Sequence, residues 1–316
     1  MHDSMEVACV TGASGMVGSK IVKLLISKGY KIRALCRKQY FDDPNIEFFR
    51  GSLGDEIVLK NFLMNAHLLF HCAAELRDKS KMWDVNVLGT ERLLRIVRNS
   101  SVRYLCYLSS AGVVGRTNDK WVDENTKCDP QDAYEQSKWA AEQLVAQGID
   151  GRQIVILRPT NVIDNKHPGV LALPMRSSWL DRMEVLLKGG ECAHLLHADD
   201  VAEAAMYFIP RVVNTPMCYF VSCDHEPLNT FAGLWSLYRA IKNDSPVGSV
   251  KPVLHLPLII PHVSRKLLRG RGNRGDVRYS SEKLISEGFK FHLGLEGAVK
   301  KIISAPDSNG YENIKR

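Results

Sequence analysis

Residues 6–35 read EVACVTGASGMVGSKIVKLLISKGYKIRAL. A short apolar run leads into glycines at 12, 15 and 18, then an amphipathic stretch, then a second apolar run. A strand, a tight turn, a helix and a second strand satisfy that pattern, and the glycines each have a job in it. Gly12 permits the turn, Gly15 lets backbone approach a pyrophosphate, and Gly18 lets the helix pack closely. Free N–H groups and the positive dipole end at the helix start favour an anion there. Ser14, Met16 and Val17 complete this phosphate-binding turn.

Outward from this unit the alternation continues. IEFF, HLLFHC, RYLCYLS and QIVILR are near-continuous apolar runs, as expected of strands buried on both faces of a parallel sheet. NVLGTERLLRIVRN and DAYEQSKWAAEQL carry helical spacing between them. The fold class is therefore α/β, a Rossmann-type doubly wound parallel sheet. The second half is less regular. Its Pro-, Gly- and charge-rich stretches predict loops, with a helix at DDVAEAAMYFI and a strand at MCYFVS returning to the sheet. We expect a dinucleotide-binding domain over 1–165, rejoined by 195–222, and a smaller, partly interleaved C-terminal substrate-binding portion over 166–194 and 223–316.

The bulk numbers exclude several classes. Of 316 residues, 45% are hydrophobic and 24% charged, and the net charge is +7, so a soluble chain acting on an anionic small molecule is expected. No aromatic-plus-basic nucleic-acid signature is present. The eight cysteines form no C-x-x-C pair, which argues against a metal site or a disulfide framework and for a reducing, cytoplasmic setting. The longest apolar run, VLHLPLIIPHV at 253–263, is too short to span a membrane. It suits a hydrophobic pocket or rest against a membrane.

The second strand ends ALCRK. An acid there would hold a ribose 2′-hydroxyl, whereas Arg37 and Lys38 suit a 2′-phosphate. NADP(H) is predicted in preference to NAD(H). Tyr134 and Lys138 lie four apart on one helix face, and Ser109 and Ser110 end the fifth strand.

Taken together these motifs make the chain resemble the extended short-chain dehydrogenases/reductases, the branch of nucleotide-sugar epimerases, dehydratases and ketoreductases. TGASGMVG resembles T-G-x-x-G-x-x-G, LLFHCAAE the fourth-strand H-x-A-A, and NVLGTERLL the N-V-x-G-T motif. LSSAGVVG, YEQSK, LRPTNVID and LLHADDVAEA match the later motifs in order. The resemblance implies that Tyr134 is the general acid and base, that Lys138 holds the nicotinamide ribose and lowers the phenol, and that Ser110 binds the substrate oxygen. It places Ser52 and Leu53 at the adenine, where the family has Asp for Ser52. Cys72, Ala73 and Ala74 fall along the cofactor, and Pro159 and Thr160 at the carboxamide. Glu75, Ser110 and Asn161 would meet substrate.

Asn86 would support the site, His71 reads as a core residue, and Asp200 as an anchor for a loop or helix. Asn161 suits a sugar diphosphate, but Ala193 stands where the family's diphosphate-clamping arginine is common. Arg269, Arg271 and Arg274 are candidate substitutes. The expected activity is NADP-dependent hydride transfer at C4 of a nucleoside-diphosphate sugar, by a 4-ketoreductase or 4-epimerase. Ala111 and Gly112 replace the acids of a dehydratase. The alternatives are a reductase of a lipophilic ketone, like those for flavonols or hydroxysteroids, and a non-catalytic NADP-binding sensor. The family commonly forms homodimers.

Overall fold

The computed structural model describes residues 6–38, 43–211, 216–249, 253–260, 263 and 275–305. The chain packs into two compact units. The first comprises 1–115, 128–158 and 201–219, and the second 116–127, 159–200 and 220–316.

The first unit carries most of the central sheet. Its strands are β1 (Val7–Thr11), β2 (Lys31–Cys36), β3 (Ile46–Arg50), β4 (Leu68–His71), β5 (Tyr104–Leu108), β7 (Gln153–Pro159) and β10 (Met217–Val221). They lie in the order β10-β7-β5-β4-β1-β2-β3 as a parallel sheet. β1 sits between β2 and β4, so its last residues face the place where the strand order reverses, the usual ligand crevice of such sheets. The apolar runs form strands because both faces are covered: β4 is buried throughout, and β1 and β7 are buried from their second residue.

Helix α1 (Met16–Ser27) turns Val17, Ile21, Val22 and Leu25 inward at helical spacing. Helix α2 (Glu56–Leu63) starts at an Asp55 cap, whose carboxylate accepts from Val58 N. Between α3 (Lys79–Met82) and α4 (Gly89–Arg98) the chain makes a π-helical turn, Trp83–Leu88. Helix α5 (Ala133–Ala146) opens on a capping box in which Asp132 accepts from Glu135 N and Glu135 from Asp132 N. Leu59, Phe62, Leu93, Val97, Leu105, Tyr107, Ala141, Val145 and Ile156 belong to one packed core.

The second unit is built from short pieces. β8 (Asn161–Ile163) pairs in parallel with β9 (Leu195–His197), and β6 (Trp121–Val122) with β11 (Arg278–Tyr279). Its helices are α6 (Ala172–Arg176), α7 (Trp179–Lys188), α9 (Phe231–Lys242), α10 (Glu282–Ser286) and α11 (Gly294–Ile303), while α8 (Ala198–Tyr207) crosses from one unit to the other. Leu171, Leu234, Leu237, Leu295, Val299 and Ile302 form its core. Asn229 satisfies the backbone of Leu195, donating to its carbonyl and accepting from its N–H. No helix among the described residues is long and apolar enough to cross a membrane.

Candidate active site

The glycine turn is fixed by crowding on one side and left open on the other. Gly12 has φ +64°, and a side chain there would meet Ala73 N at 2.7 Å and Cys72 carbonyl carbon at 2.9 Å. At Gly18 a Cβ would lie 2.2 Å from Gly12 O. At Gly15 the only close neighbour is Gly12 O, at 3.1 Å. Gly15 is also the N-cap of α1, with no side-chain cap and no acid in the first turn. The helix N-terminus thus offers its N–H groups to an anion and presents no carboxylate against one. This fits a nucleotide diphosphate.

The ends of β1 and β4 are locked together beside the turn. Thr11 Oγ1 bonds His71 Nδ1 at 2.8 Å and accepts from Ala73 N at 3.2 Å. His71 Nε2 meets Thr90 Oγ1 at 2.9 Å, and burial pushes the imidazole down to about 3. His71 is thus a neutral, satisfied core residue, as the sequence indicated. Arg37 and Lys38 are exposed after the buried end of β2. The charge of Arg37 is felt at Glu75. Ser52 is exposed, its hydroxyl accepting from Gly54 N, whereas Leu53 is buried against Gly89.

Tyr134 and Lys138 come one helical turn apart on α5, and the Ser110 hydroxyl lies close enough to act on the phenol of Tyr134. Ser110 also accepts from Gly112 N. Ser109 points the other way, buried, and donates to Glu142 Oε2 at 2.5 Å. Lys138 is 3% exposed, donates to Leu108 O at 2.5 Å and lies 4.4 Å over the Tyr107 ring. Burial lowers its ammonium to about 8, opposed by the charge of Glu142 and then by Cys72.

One expectation needs correction here. The phenol of Tyr134 is raised above its ordinary value, because burial outweighs the lowering effect of the Ser110 hydroxyl and the Asp132 carboxylate adds to the rise.

Two further groups support this arrangement. Asn86, on the π-turn, accepts from Glu75 N and donates to Glu75 O and Ser137 Oγ, while Ser137 donates to Tyr134 O. It ties the loop after β4 to the Tyr134 helix. Glu142, 2% exposed and one turn beyond Lys138, takes two bonds from Arg158, at 3.1 and 2.6 Å. Sequence reading did not single out Glu142 or Arg158. The available signal was the i, i+4 spacing from Lys138, which puts a carboxylate on the same helix face as the amine.

Other predicted contacts have local duties. The Glu75 carboxylate receives the N–H groups of Leu76, Arg77 and Asp78, which hold it below the usual range. In the second unit, Thr160 Oγ1, just after Pro159, is buried without a hydrogen-bond partner among the described residues. Asn161 is exposed, but its amide donates to Ala193 O at 2.9 Å, and Ala193 is buried. Asp200 accepts from Leu293 N and so anchors the start of α11, while burial raises its carboxyl. Arg269, Arg271 and Arg274 lie outside the described residues.

Known proteins resemble the chain over part or most of its length. It is 30% identical over 168 residues to sterol demethylase protein B of Methylococcus capsulatus, covering 49% of this chain and 51% of that protein. It is 31% identical over 166 residues to N-acetyl-alpha-D-glucosaminyl-diphospho-ditrans,octacis-undecaprenol 4-epimerase of Escherichia coli O157:H7, covering 50% and 49%. The matched part spans about half the length of these curated relatives. Among solved structures, a short-chain dehydrogenase/reductase superfamily protein from Agrobacterium tumefaciens with bound NAD superposes with a TM-score of 0.75 at 19% identity, covering 98% of this chain and 100% of that one. UDP-glucose 4-epimerase from Thermotoga maritima with UDP-glucose gives 0.69 at 21%, covering 94% and 97%. At these identities the superpositions establish the fold. The model of the NAD dependent epimerase/dehydratase family matches residues 8–217, which hold the glycine turn, Ser110, Tyr134 and Lys138. The chain belongs to that family.

Proposed function

We propose that the chain is an NADP(H)-dependent oxidoreductase that interconverts a secondary alcohol and a ketone. The observation that carries this reading is Tyr134 one helical turn from the buried ammonium of Lys138, with Ser110 at the end of β5 close enough to act on the phenol. A nicotinamide nucleotide, when bound, exchanges hydride and in its oxidised form brings one positive charge. Tyr134 gives its proton to the substrate oxygen during reduction and takes it back during oxidation. Because burial raises the phenol, the nearby cation of Lys138 is the protein group that would favour the phenolate needed for the oxidation step. Ser110 holds the substrate oxygen, Lys138 the ribose hydroxyls, and Arg37 with Lys38 a 2′-phosphate. Ser14, Gly15, Met16 and Val17 receive the diphosphate, Ser52 and Leu53 the adenine side, and Thr160 the carboxamide. We propose a cytoplasmic homodimer.

For the substrate, the first reading is a nucleoside-diphosphate sugar reacting at C4, with net reduction or epimerisation as the outcome. It is supported by the family's epimerases and by an exposed Asn161 at the start of β8. A second reading, a lipophilic ketone or alcohol, is supported by a different observation. Ala193 is buried where a diphosphate clamp would stand, and the Asn161 amide is already spent on its carbonyl. A non-catalytic sensor is disfavoured by the assembled Tyr134, Lys138 and Ser110.

The test is NADPH oxidation by the purified protein across 4-keto nucleotide sugars and lipophilic ketones, alongside Tyr134→Phe. The expected result is turnover on one class, reduced about 10²–10⁴-fold in the variant. Near-full turnover by Tyr134→Phe contradicts the proton role, and activity confined to lipophilic ketones selects the second reading.

A further inference from the structure

His71 and His194 are held in opposite ways. His71 is buried with both ring nitrogens bonded, Nδ1 to Thr11 and Nε2 to Thr90. His194, in the second unit, bonds only through Nδ1, to Asp224 Oδ2 at 2.6 Å, and its side chain is 22% exposed. Its Nε2 has no hydrogen-bond partner among the described residues.

The carboxylate that orients this ring is itself wholly buried and satisfied. Asp224 Oδ1 accepts from Asn229 Nδ2 at 3.2 Å, and Oδ2 accepts from Tyr279 N at 3.0 Å. The Tyr279 ring stands edge-on to the imidazole, with centroids 5.2 Å apart. The backbone is fixed as firmly. Asn229 receives the N–H groups on either side of His194, Ala193 N on its carbonyl and Leu195 N on its amide oxygen. Between them His194 takes φ +56°, the left-handed region where a histidine is strained. These bonds set the direction of Nε2, which packing alone does not require.

A carboxylate can only accept, so Nδ1 carries the proton and the neutral ring presents a lone pair at Nε2. A second acceptor stands on a neighbouring residue, since Asn161 N donates to His194 O at 2.9 Å. Asn161 is exposed and turns its Nδ2 to Ala193 O, which leaves its Oδ1 without a partner among the described residues. Two acceptors on adjoining residues suit hydrogen-bond donors, and their lone pairs repel phosphate oxygens. The hydroxyls of a sugar are such donors, and a hydrocarbon ketone has none.

We propose that His194, positioned by Asp224 and flanked by Asn161, binds a hydroxyl of the substrate's sugar. This deepens the nucleotide-sugar reading and rests on it. His194 accepts the hydroxyl's hydrogen bond and moves no proton in the hydride step.

Calorimetry of the NADP-loaded chain tests it. The probes are UDP-, GDP- and dTDP-glucose, then the nucleoside diphosphate and the 2-, 3- and 6-deoxyfluoro analogues of the tightest binder. Fluorine replaces a hydroxyl without being able to donate. The native chain should bind one analogue about 3- to 10-fold more weakly than the parent sugar, the loss of one neutral hydrogen bond. His194→Phe should weaken the parent sugar by the same factor, leave the nucleoside diphosphate unchanged and no longer distinguish that analogue. Equal binding of every analogue by the native chain overturns the proposal, and that measurement needs no variant to fold. An equal loss of sugar and nucleoside diphosphate in His194→Phe assigns the ring to the diphosphate and also overturns it. So does the absence of binding by all three glucose probes. The oxidoreductase reading is judged separately: Tyr134-dependent NADPH oxidation of any ketone keeps it when the His194 proposal fails, and no turnover on either ketone class removes it.

Discussion

At the scale of single residues, the candidate groups were legible because the spacing of their residue types suggests the chemistry. Tyr134 and Lys138 four apart, and a serine at a strand end, need no long-range information. What could not be read was the protonation state. Lys138 falls to about 8 because residues distant in sequence bury it, and that burial belongs to the folded chain alone. Glu142 is the leading opposing charge, so Glu142→Gln should let the ammonium fall further. The alkaline limb of the pH profile for kcat/KM then moves to lower pH, since the cation that aids Tyr134 is lost as pH rises through the Lys138 value. An unmoved limb with reduced stability would make Glu142 merely structural. Arg37 is exposed, so its effect should be confined to the ligand. Arg37→Ala should weaken NADP binding about 10- to 100-fold, in line with the loss of charged hydrogen bonds, and leave NAD binding near its native value. Equal dissociation constants for NADP in both proteins would remove the 2′-phosphate assignment.

At the scale of elements, the long strands were legible because burial on both faces demands continuous apolar runs. The π-turn at Trp83–Leu88 was not, since an extra residue in a helix leaves the apolar pattern nearly unchanged. The two-residue strands β6 and β11 carry too few side chains to show a period. Crowding in the glycine turn separates two roles experimentally. Gly18→Ala places a methyl 2.2 Å from backbone and should cost about 1–3 kcal/mol of stability, seen as a lower midpoint in denaturant. Gly15→Ala meets only one atom, at 3.1 Å, and should leave the midpoint nearly native while weakening cofactor binding. The reverse ranking in stability would mean that the turn is packed differently.

At the scale of the whole molecule, the return of later sequence to the sheet was legible from one apolar run, MCYFVS. The membership of 116–127 in the second unit was not, because that polar stretch has no periodicity to follow. The first unit is finished by distant residues: Tyr104 Oη donates to Ala205 O at 2.6 Å, Gln153 donates to Phe208 O at 2.7 Å, and the Phe208 and Tyr219 rings stack at 4.8 Å. A fragment of residues 1–165 lacks all of these partners and leaves β7 as a bare edge. It should lack a cooperative melt by near-ultraviolet circular dichroism and associate on sedimentation. A monomeric fragment with a sharp melt would show that the early strands suffice.

The same interleaving bears on biosynthesis. β7 ends at Pro159 and its outer neighbour β10 begins at Met217, so a ribosome adds about sixty residues between them. At about 5–20 residues per second, that leaves an apolar strand without its neighbour for about 3–12 s in every round of translation. During this interval the growing polypeptide is open to aberrant pairing, and the yield of native protein in a cell should depend on chaperones that shield nascent chains.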